Sequence, residues 1–203
     1  MEVKVYDGKE IGTLLETIKE DLQIGDNDFL YKVENVKGSL LKKSSIKVYV
    51  YLQKDIIIMA KEMLSELITG MGIECQFESK IRENQIEIKM YSDNNSLLIG
   101  KEGRTLQALT TIIRQAILNK IDVYPNIYLD VENYKAKQQS RIERLAKNLA
   151  REVEKTGIEV KMENMNAYDR RIVHQVLTNN KKVTTISEGE EPNRHVVIKL
   201  KED

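Results

Sequence analysis

Leu97-Leu98-Ile99-Gly100-Lys101-Glu102-Gly103-Arg104-Thr105-Leu106 is the stretch from which the fold can be read. Three apolar residues close a short helical turn that starts near Asn95, two glycines bracket Lys101 and Glu102, and a longer amphipathic helix begins at Arg104. Among ten glycines in 203 residues, a Gly-x-x-Gly pair alone is most simply an ordinary turn. Its setting gives it weight, because the loop joins two helices that are themselves bracketed by strands. Glycine lets a backbone approach another chain closely, with no side chain in the way. The helix start at Arg104-Thr105 presents unpaired N–H groups and the positive end of the helix dipole. With Lys101 and Arg104 as added charges, the loop is suited to gripping a phosphate.

Working outward, the spacing of Ile56, Met59, Ala60, Met63, Leu64, Leu67 and Ile68 predicts a helix over 55–69, stopped by Gly70 and Gly72. A hairpin follows over 73–81 and 86–90, turning at Glu83-Asn84. After the loop, Leu106, Leu109, Ile113 and Ala116/Ile117 share one helical face, Pro125 breaks the helix, and 127–131 is a strand. The order over residues 53–132 is therefore α-β-β-α-α-β. Upstream, Val3 and Val5 alternate with charged residues as in a half-buried strand. Leu14, Leu15, Ile18 and Leu22 then mark a helix stopped by Gly25, and strands over 29–36 and 46–52 flank a basic loop, Lys37-Gly38-Ser39-Leu40-Leu41-Lys42-Lys43-Ser44. Downstream, a long helix over 134–155 turns Ile142, Leu145, Ala146, Leu149 and Val153 inward. A strand over 158–162, a helix over 166–178 capped by Asn166, and strands over 183–187 and 196–200 complete an α-β-α-β-β order. The expected class is α+β, in three small α/β domains: residues 1–52, 53–132 and 133–203.

Composition sets the compartment and the broad class. A single cysteine, Cys75, excludes an intrachain disulfide and fits a reducing environment. No apolar signal segment opens the chain, and no apolar run is long enough to span a bilayer, so a soluble, cytoplasmic protein is expected. Formal net charge is zero, but it is unevenly spread. Residues 133–203 carry fifteen basic against eleven acidic side chains, while residues 54–132 carry nine against twelve. The basic character lies in the C-terminal third.

Two constellations in that third concern nucleic acid. In Arg170-Arg171-Ile172-Val173-His174, Arg170 and His174 are four apart and project from one helical face, roughly opposite Ile172 and Val176. An arginine can fork onto a phosphate, and a neighbouring histidine can hydrogen-bond the same backbone. An exposed basic pair on an amphipathic helix would read identically from spacing alone. On the long helix, Lys137, Arg141, Arg144, Arg151 and Lys155 fall within a band roughly 80° wide, well away from the apolar stripe. Glu143, Glu152 and Glu154 avoid the band's centre. Solubility explains many such faces, yet this one would also serve as a phosphate track.

Several of these motifs carry a family resemblance. Ile99-Gly100-Lys101-Glu102-Gly103-Arg104, in its α-β-β-α-α-β setting, resembles the clamp of a type II KH domain, a module that grips about four nucleotides of a single strand. Met165-Asn166-Ala167-Tyr168-Asp169-Arg170-Arg171-Ile172-Val173-His174 and Ser187-Glu188-Gly189-Glu190-Glu191-Pro192-Asn193-Arg194 resemble the Arg-x-x-x-His (R-three-H) domain of single-stranded nucleic-acid binders. Its signature maps onto Arg170 and His174, with Arg171 and Arg194 beside them. The pairing of the two modules after a short N-terminal unit resembles the bacterial Jag (KhpB, SpoIIIJ-associated) family over essentially the full length. Tyr6-Asp7-Gly8-Lys9-Glu10 is similar to that family's opening turn. The Lys37–Lys43 loop departs from the family's Gly/Phe-rich one, and the linker that many relatives carry before the KH domain is almost absent.

The resemblance implies a non-catalytic binder of single-stranded RNA, or of single-stranded DNA. It implies a post-transcriptional regulator or RNA chaperone linked to envelope growth, division or sporulation. It also implies a small single-KH-domain partner and an insertase of the SpoIIIJ/YidC type, and leaves a homo-oligomer open. The alternatives are a protein-interaction scaffold associated with the membrane insertase and, more remotely, a ribonuclease using His174, with His195 as the second of only two histidines. Neither Cys/His spacing nor an acidic cluster suggests a metal site, and no nucleotide-binding loop is present, so no cofactor is expected.

Overall fold

The computed structural model describes residues 2–37 and 44–201. These form an α+β protein with three three-stranded sheets, arranged in two compact units, residues 1–132 and 133–203.

In the first unit, β1 (Lys4–Gly8), α1 (Ile11–Leu22), β2 (Phe29–Val36) and β3 (Ser45–Leu52) build an antiparallel sheet of order β1-β3-β2. Leu14 and Ile18 of α1 close its core with Phe29, Val48 and Val50. The phase of β1 is the reverse of the expected one. Val3 and Val5 are 43% and 47% exposed, because β1 pairs with β3 so that Tyr6 lies opposite Val48, on the covered face. Side chains alternate along a strand, so Val5 faces away. Gln23, left-handed at φ 52°, ends α1 two residues before the glycine expected to do so. Of the basic loop over 37–44, residues 38–43 lie outside the described residues.

Without a break, β3 runs into α2 (Gln53–Gly70). The hairpin β4 (Gln76–Arg82) and β5 (Gln85–Tyr91) turns at Glu83 and Asn84 with φ of 44° and 63°. Positive φ at both central residues gives the turn a twist that matches its strands. α3 (Asn95–Ile99), a 3-10 turn over Lys101–Gly103, and α4 (Arg104–Ile121) then cross over to β6 (Ile127–Val131), which adds parallel to β5. A parallel pair requires such a crossover, and the expected α-β-β-α-α-β order is present. Ile56, Leu64 and Ile68 of α2 and Leu106, Ile113 and Ile117 of α4 are buried, as are Ile86, Ile88 and Leu129 of the sheet. Each such side chain contributes about 1.5–3 kcal/mol of transfer free energy. α4 ends at a left-handed Asp122, ahead of Pro125. Asp122 also accepts from Lys32 at 2.6 Å, and Gln53 donates to Asn84 at 2.7 Å, so polar contacts tie β2 to the end of α4 and the start of α2 to the β4–β5 turn.

The second unit comprises α5 (Tyr134–Thr156), β7 (Val160–Lys161), α6 (Ala167–Leu177), β8 (Val183–Glu188) and β9 (His195–Leu200), in the expected α-β-α-β-β order. Its sheet is antiparallel with order β7-β9-β8. Ile142, Ala146, Ala150 and Val153 of α5 and Ile172, Val173 and Leu177 of α6 pack on Val183, Val196 and Ile198. Leu145, expected in this core, is 44% exposed. The buried direction of α5 is set by Ile142, Ala146, Ala150 and Val153, and Leu145 lies roughly a quarter turn from it. The strand expected over 158–162 contracts to β7, leaving Ile158 exposed. No helix among the described residues is long and apolar enough to cross a membrane.

Candidate nucleic-acid interface

Residues 99–104 form a tight, glycine-dependent turn. Gly100 has φ 71° and ψ 176°, Glu102 is left-handed at φ 56°, and Gly103 follows at φ 77°. Gly100 N–H donates to Ser96 O at 2.9 Å, and Gly103 N–H donates to Gly100 O at 3.2 Å. No side chain caps α4; Arg104 N–H is taken by Lys101 O within the turn, and the next N–H groups of the helix's first turn lie at the loop. Lys101 is exposed and makes no ion pair among the described residues. Arg104 is instead held by Glu102 at 3.1 Å, which leaves Lys101 as the loop's uncommitted cation. Ile99 is half-buried, while Leu97, two residues earlier, is 56% exposed. Apolar surface beside the loop therefore comes from Leu97, which helical periodicity alone did not distinguish from its buried neighbour Leu98.

Arg170 and His174 share a face of α6, as their spacing predicts, but that face is packed against the sheet and its connecting loop. Arg170 is only 7% exposed. Its Nη1 donates to Met165 O at 2.7 Å and to Glu191 Oε1 at 2.8 Å. The expectation that Arg170 projects outward is thus corrected: a carboxylate and a carbonyl already occupy the guanidinium. His174 Nδ1 lies 2.7 Å from Thr185 Oγ1, and Nε2 lies 2.8 Å from Ser187 Oγ. Both hydroxyls come from β8, at alternate positions that face α6. Burial first, and the Arg170 charge second, hold the His174 pKa below its ordinary value of 6.5. The imidazole is therefore neutral at pH 7, donating from one nitrogen and accepting at the other.

A histidine with a lowered folded pKa stabilises the fold fully above the unfolded value of about 6.5. As pH falls below that, the unfolded chain takes up the proton first, and stability is lost until the folded pKa is passed. Thermal denaturation from pH 7.5 to 5 is expected to show this loss. A His174→Gln chain should show a smaller acid-side decrease, and an identical pH profile would contradict the assignment.

Lys137, Arg141, Arg144, Arg151 and Lys155 are all exposed on α5, where the band was expected. Arg141, Arg144, Arg151 and Lys155 form no ion pair among the described residues. Arg171 and Arg194 are likewise exposed. Asn193, Glu190 and Gly189 shape the loop that carries Arg194: Asn193 N–H donates to Glu190 O at 2.7 Å, and Gly189 takes φ 82°. Thr185, Ser187 and Glu191 could not be assigned as partners of the signature pair from spacing, because they arrive from β8 and its following loop.

A two-histidine acid–base pair is not assembled. Ser187, which binds His174, faces the helices with its partner Val196, whereas His195 is the next residue and points to the opposite face of the sheet. Among the described residues no group of His, Cys, Asp and Glu could hold a metal ion.

Comparison with known proteins matches two family models. One, described as the KhpA/KhpB KH domain, covers residues 58–125, and the other, the R-three-H domain, covers residues 140–200. RNA-binding protein KhpB of Clostridium symbiosum is 38% identical over 134 residues, which is 66% of this chain and 60% of that protein. The KhpB of Bacillus subtilis is 34% identical over 142 residues, 69% of this chain and 67% of the relative. That of Lactiplantibacillus plantarum is 31% identical over 140 residues, 69% of this chain but only 44% of the relative. The chain thus matches about half to two-thirds of the length of these relatives.

Proposed function

The chain belongs to the KhpB (Jag) family, and from that membership we propose that it is a non-catalytic binder of single-stranded RNA. The observation that carries the reading is the Gly100–Gly103 turn. It combines two positive-φ glycines, an uncapped helix start and an uncommitted lysine in one exposed loop. A strand lying on that loop meets backbone donors and Lys101. The exposed cations of the second unit with no ion pair among the described residues, Arg141, Arg144, Arg151, Lys155, Arg171 and Arg194, supply further phosphate contacts, whose counterion release gives affinity. Arg170 and His174 act behind that surface, fixing the 188–194 loop and β8. The working division is 1–52, an N-terminal domain; 53–132, the KH domain; and 133–203, the Arg-x-x-x-His domain.

The finer role is that of a cytoplasmic post-transcriptional regulator or RNA chaperone tied to envelope growth, division or sporulation. Family resemblance supports it, together with a small single-KH partner and an insertase of the SpoIIIJ/YidC type. The names of the relatives, each an RNA-binding protein KhpB, support the RNA assignment most directly.

Changing Lys101 and Glu102 together to Asp tests the loop. The fold should survive, because only an exposed ion pair to Arg104 is altered and Asp tolerates the left-handed conformation at 102. Affinity for a single-stranded RNA, read by anisotropy, is expected to drop about ten-fold or more, as a cation becomes a repelling anion beside a phosphate. Unchanged affinity with an unchanged melting curve would remove the loop from the interface.

A further inference from the structure

Beside the basic band, between α5 and the short edge strand β7, runs a groove of about 550 Å³. That is within the size of small-molecule sites, roughly 300–1,000 Å³. Its chemistry is two-sided. Leu145 and Leu149 of α5 and Val160 of β7 line an apolar floor, and Arg141 and Arg144 stand at its rim. Asn148, an uncharged side chain that both donates and accepts, lies among them. Glu163 is the one acidic lining residue.

Two features set this groove apart from a solvated helix face. First, Leu145 is 44% exposed, although the core on α5's buried side is closed without it. Single exposed leucines are ordinary on a protein surface, but this one continues into the apolar floor formed by Leu149 and Val160. Second, Arg141 and Arg144 have no carboxylate partner among the described residues, whereas Lys161 points to the other face of the sheet and pairs with Glu188 at 3.8 Å. A surface that merely tracks phosphates needs no apolar floor, and a groove for an apolar segment needs no unpaired cations. The combination suits an amphiphilic anion with a flat apolar part, and a nucleotide unit is one.

We propose that this groove is a base-accepting subsite, which holds one nucleotide of the bound strand with its base on Leu145, Leu149 and Val160 and its phosphate between Arg141 and Arg144. The proposal rests on the RNA reading above and deepens it. Binding by the second unit is then not purely electrostatic, and Asn148 is placed to read a base edge.

A mutant cycle on the full chain tests this, using anisotropy with a short labelled single-stranded RNA and with the same strand made abasic, which keeps its phosphates. Leu145→Ala is expected to weaken binding of intact RNA about five-fold, what about 40 Å² of apolar surface kept from water against a base contributes. It should leave the salt dependence unaltered and have little further effect on the abasic strand, because the contact it removes is already gone. Arg141→Gln with Arg144→Gln should weaken both strands and lower the salt slope by about 0.7, the one single-strand phosphate the two share. Leu145→Ala binding intact RNA as the parent does, or losing equally on both strands, would overturn the subsite while the parent's affinity left RNA binding standing. A parent chain that binds neither strand would overturn the functional reading and the subsite with it. Competition by polyglutamate as strong as by RNA of equal charge would also overturn the subsite, pointing to an acidic peptide in its place.

Discussion

Replacing Arg170 with alanine is expected to destabilise residues 133–203 by about 2–4 kcal/mol, a cost typical of a buried, charge-assisted network, while leaving the salt dependence of RNA binding by the folded chain unchanged. The guanidinium is 7% exposed and bridges Met165 O, at 2.7 Å, to Glu191 Oε1, at 2.8 Å. It thereby ties the start of α6 to the 188–194 loop. Removing it orphans the Met165 carbonyl and leaves a void where the aliphatic stem packed. Glu191 is not left as a stranded charge, because its side chain is 60% exposed and regains water. The cost therefore stays below that of breaking a fully buried ion pair. Arg170→Lys should recover only part of it, since both bonds come from the terminal Nη1, which the shorter and more strongly hydrated lysine ammonium does not reach. Hydrogen exchange across 167–200 in the full chain would report the destabilisation locally. A single-strand phosphate contact at Arg170 predicts the opposite pattern, with normal exchange and a salt slope lower by about 0.7. That pattern would restore Arg170 to the binding surface.

Arg170 also marks where sequence reasoning stops. Elements built from local signals were legible almost to the residue. The turn at Glu83-Asn84, the short helix at Asn95–Ile99 and the Asn166 cap, which accepts from Asp169 N–H at 3.0 Å, all stand where turn and capping chemistry put them. What failed depends on partners far along the chain. Arg170 looks like a surface cation by residue type, and its burial follows from Glu191, twenty-one residues on. Val5 alternates correctly with charged neighbours, yet alternation does not say which face is covered. That was decided by pairing with a strand more than forty residues away, which put Tyr6 against the core. Leu145 lay at the edge of an apolar stripe whose width periodicity leaves open, and the packing of Ala146 and Ala150 drew the line short of it. The candidate site follows the same rule. Its loop was readable because its chemistry is local, whereas Arg170 and His174 read as outward-facing because Glu191, Thr185 and Ser187, which hold them inward, are distant in sequence.

Gly100→Ala is expected to cost about 1–3 kcal/mol in backbone strain and to reduce RNA affinity at least as much as the double Asp change in the loop, whereas Gly103→Asn should add little backbone strain. The two glycines are equivalent in the motif but not in conformation. Gly103, at φ 77° and ψ 12°, is in the left-handed helical region, which asparagine visits readily. Gly100 combines φ 71° with ψ 176°, a region in which essentially only glycine is found. Sterics add to this, since a Cβ at 100 would lie 2.1 Å from Thr105 Oγ1, 2.8 Å from its Cβ and 2.9 Å from its backbone nitrogen. The hydroxyl could rotate away, but the backbone nitrogen belongs to the first turn of α4, at the loop. Relief of the clash therefore requires a shift of the helix start itself. Thr105→Ala placed in the Gly100→Ala chain tests this directly. It removes the 2.1 Å contact but neither the remaining two nor the strain in φ and ψ, so melting temperature and RNA affinity should recover only in part. Full recovery would mean that the hydroxyl clash alone mattered and that the loop works without its glycine conformation.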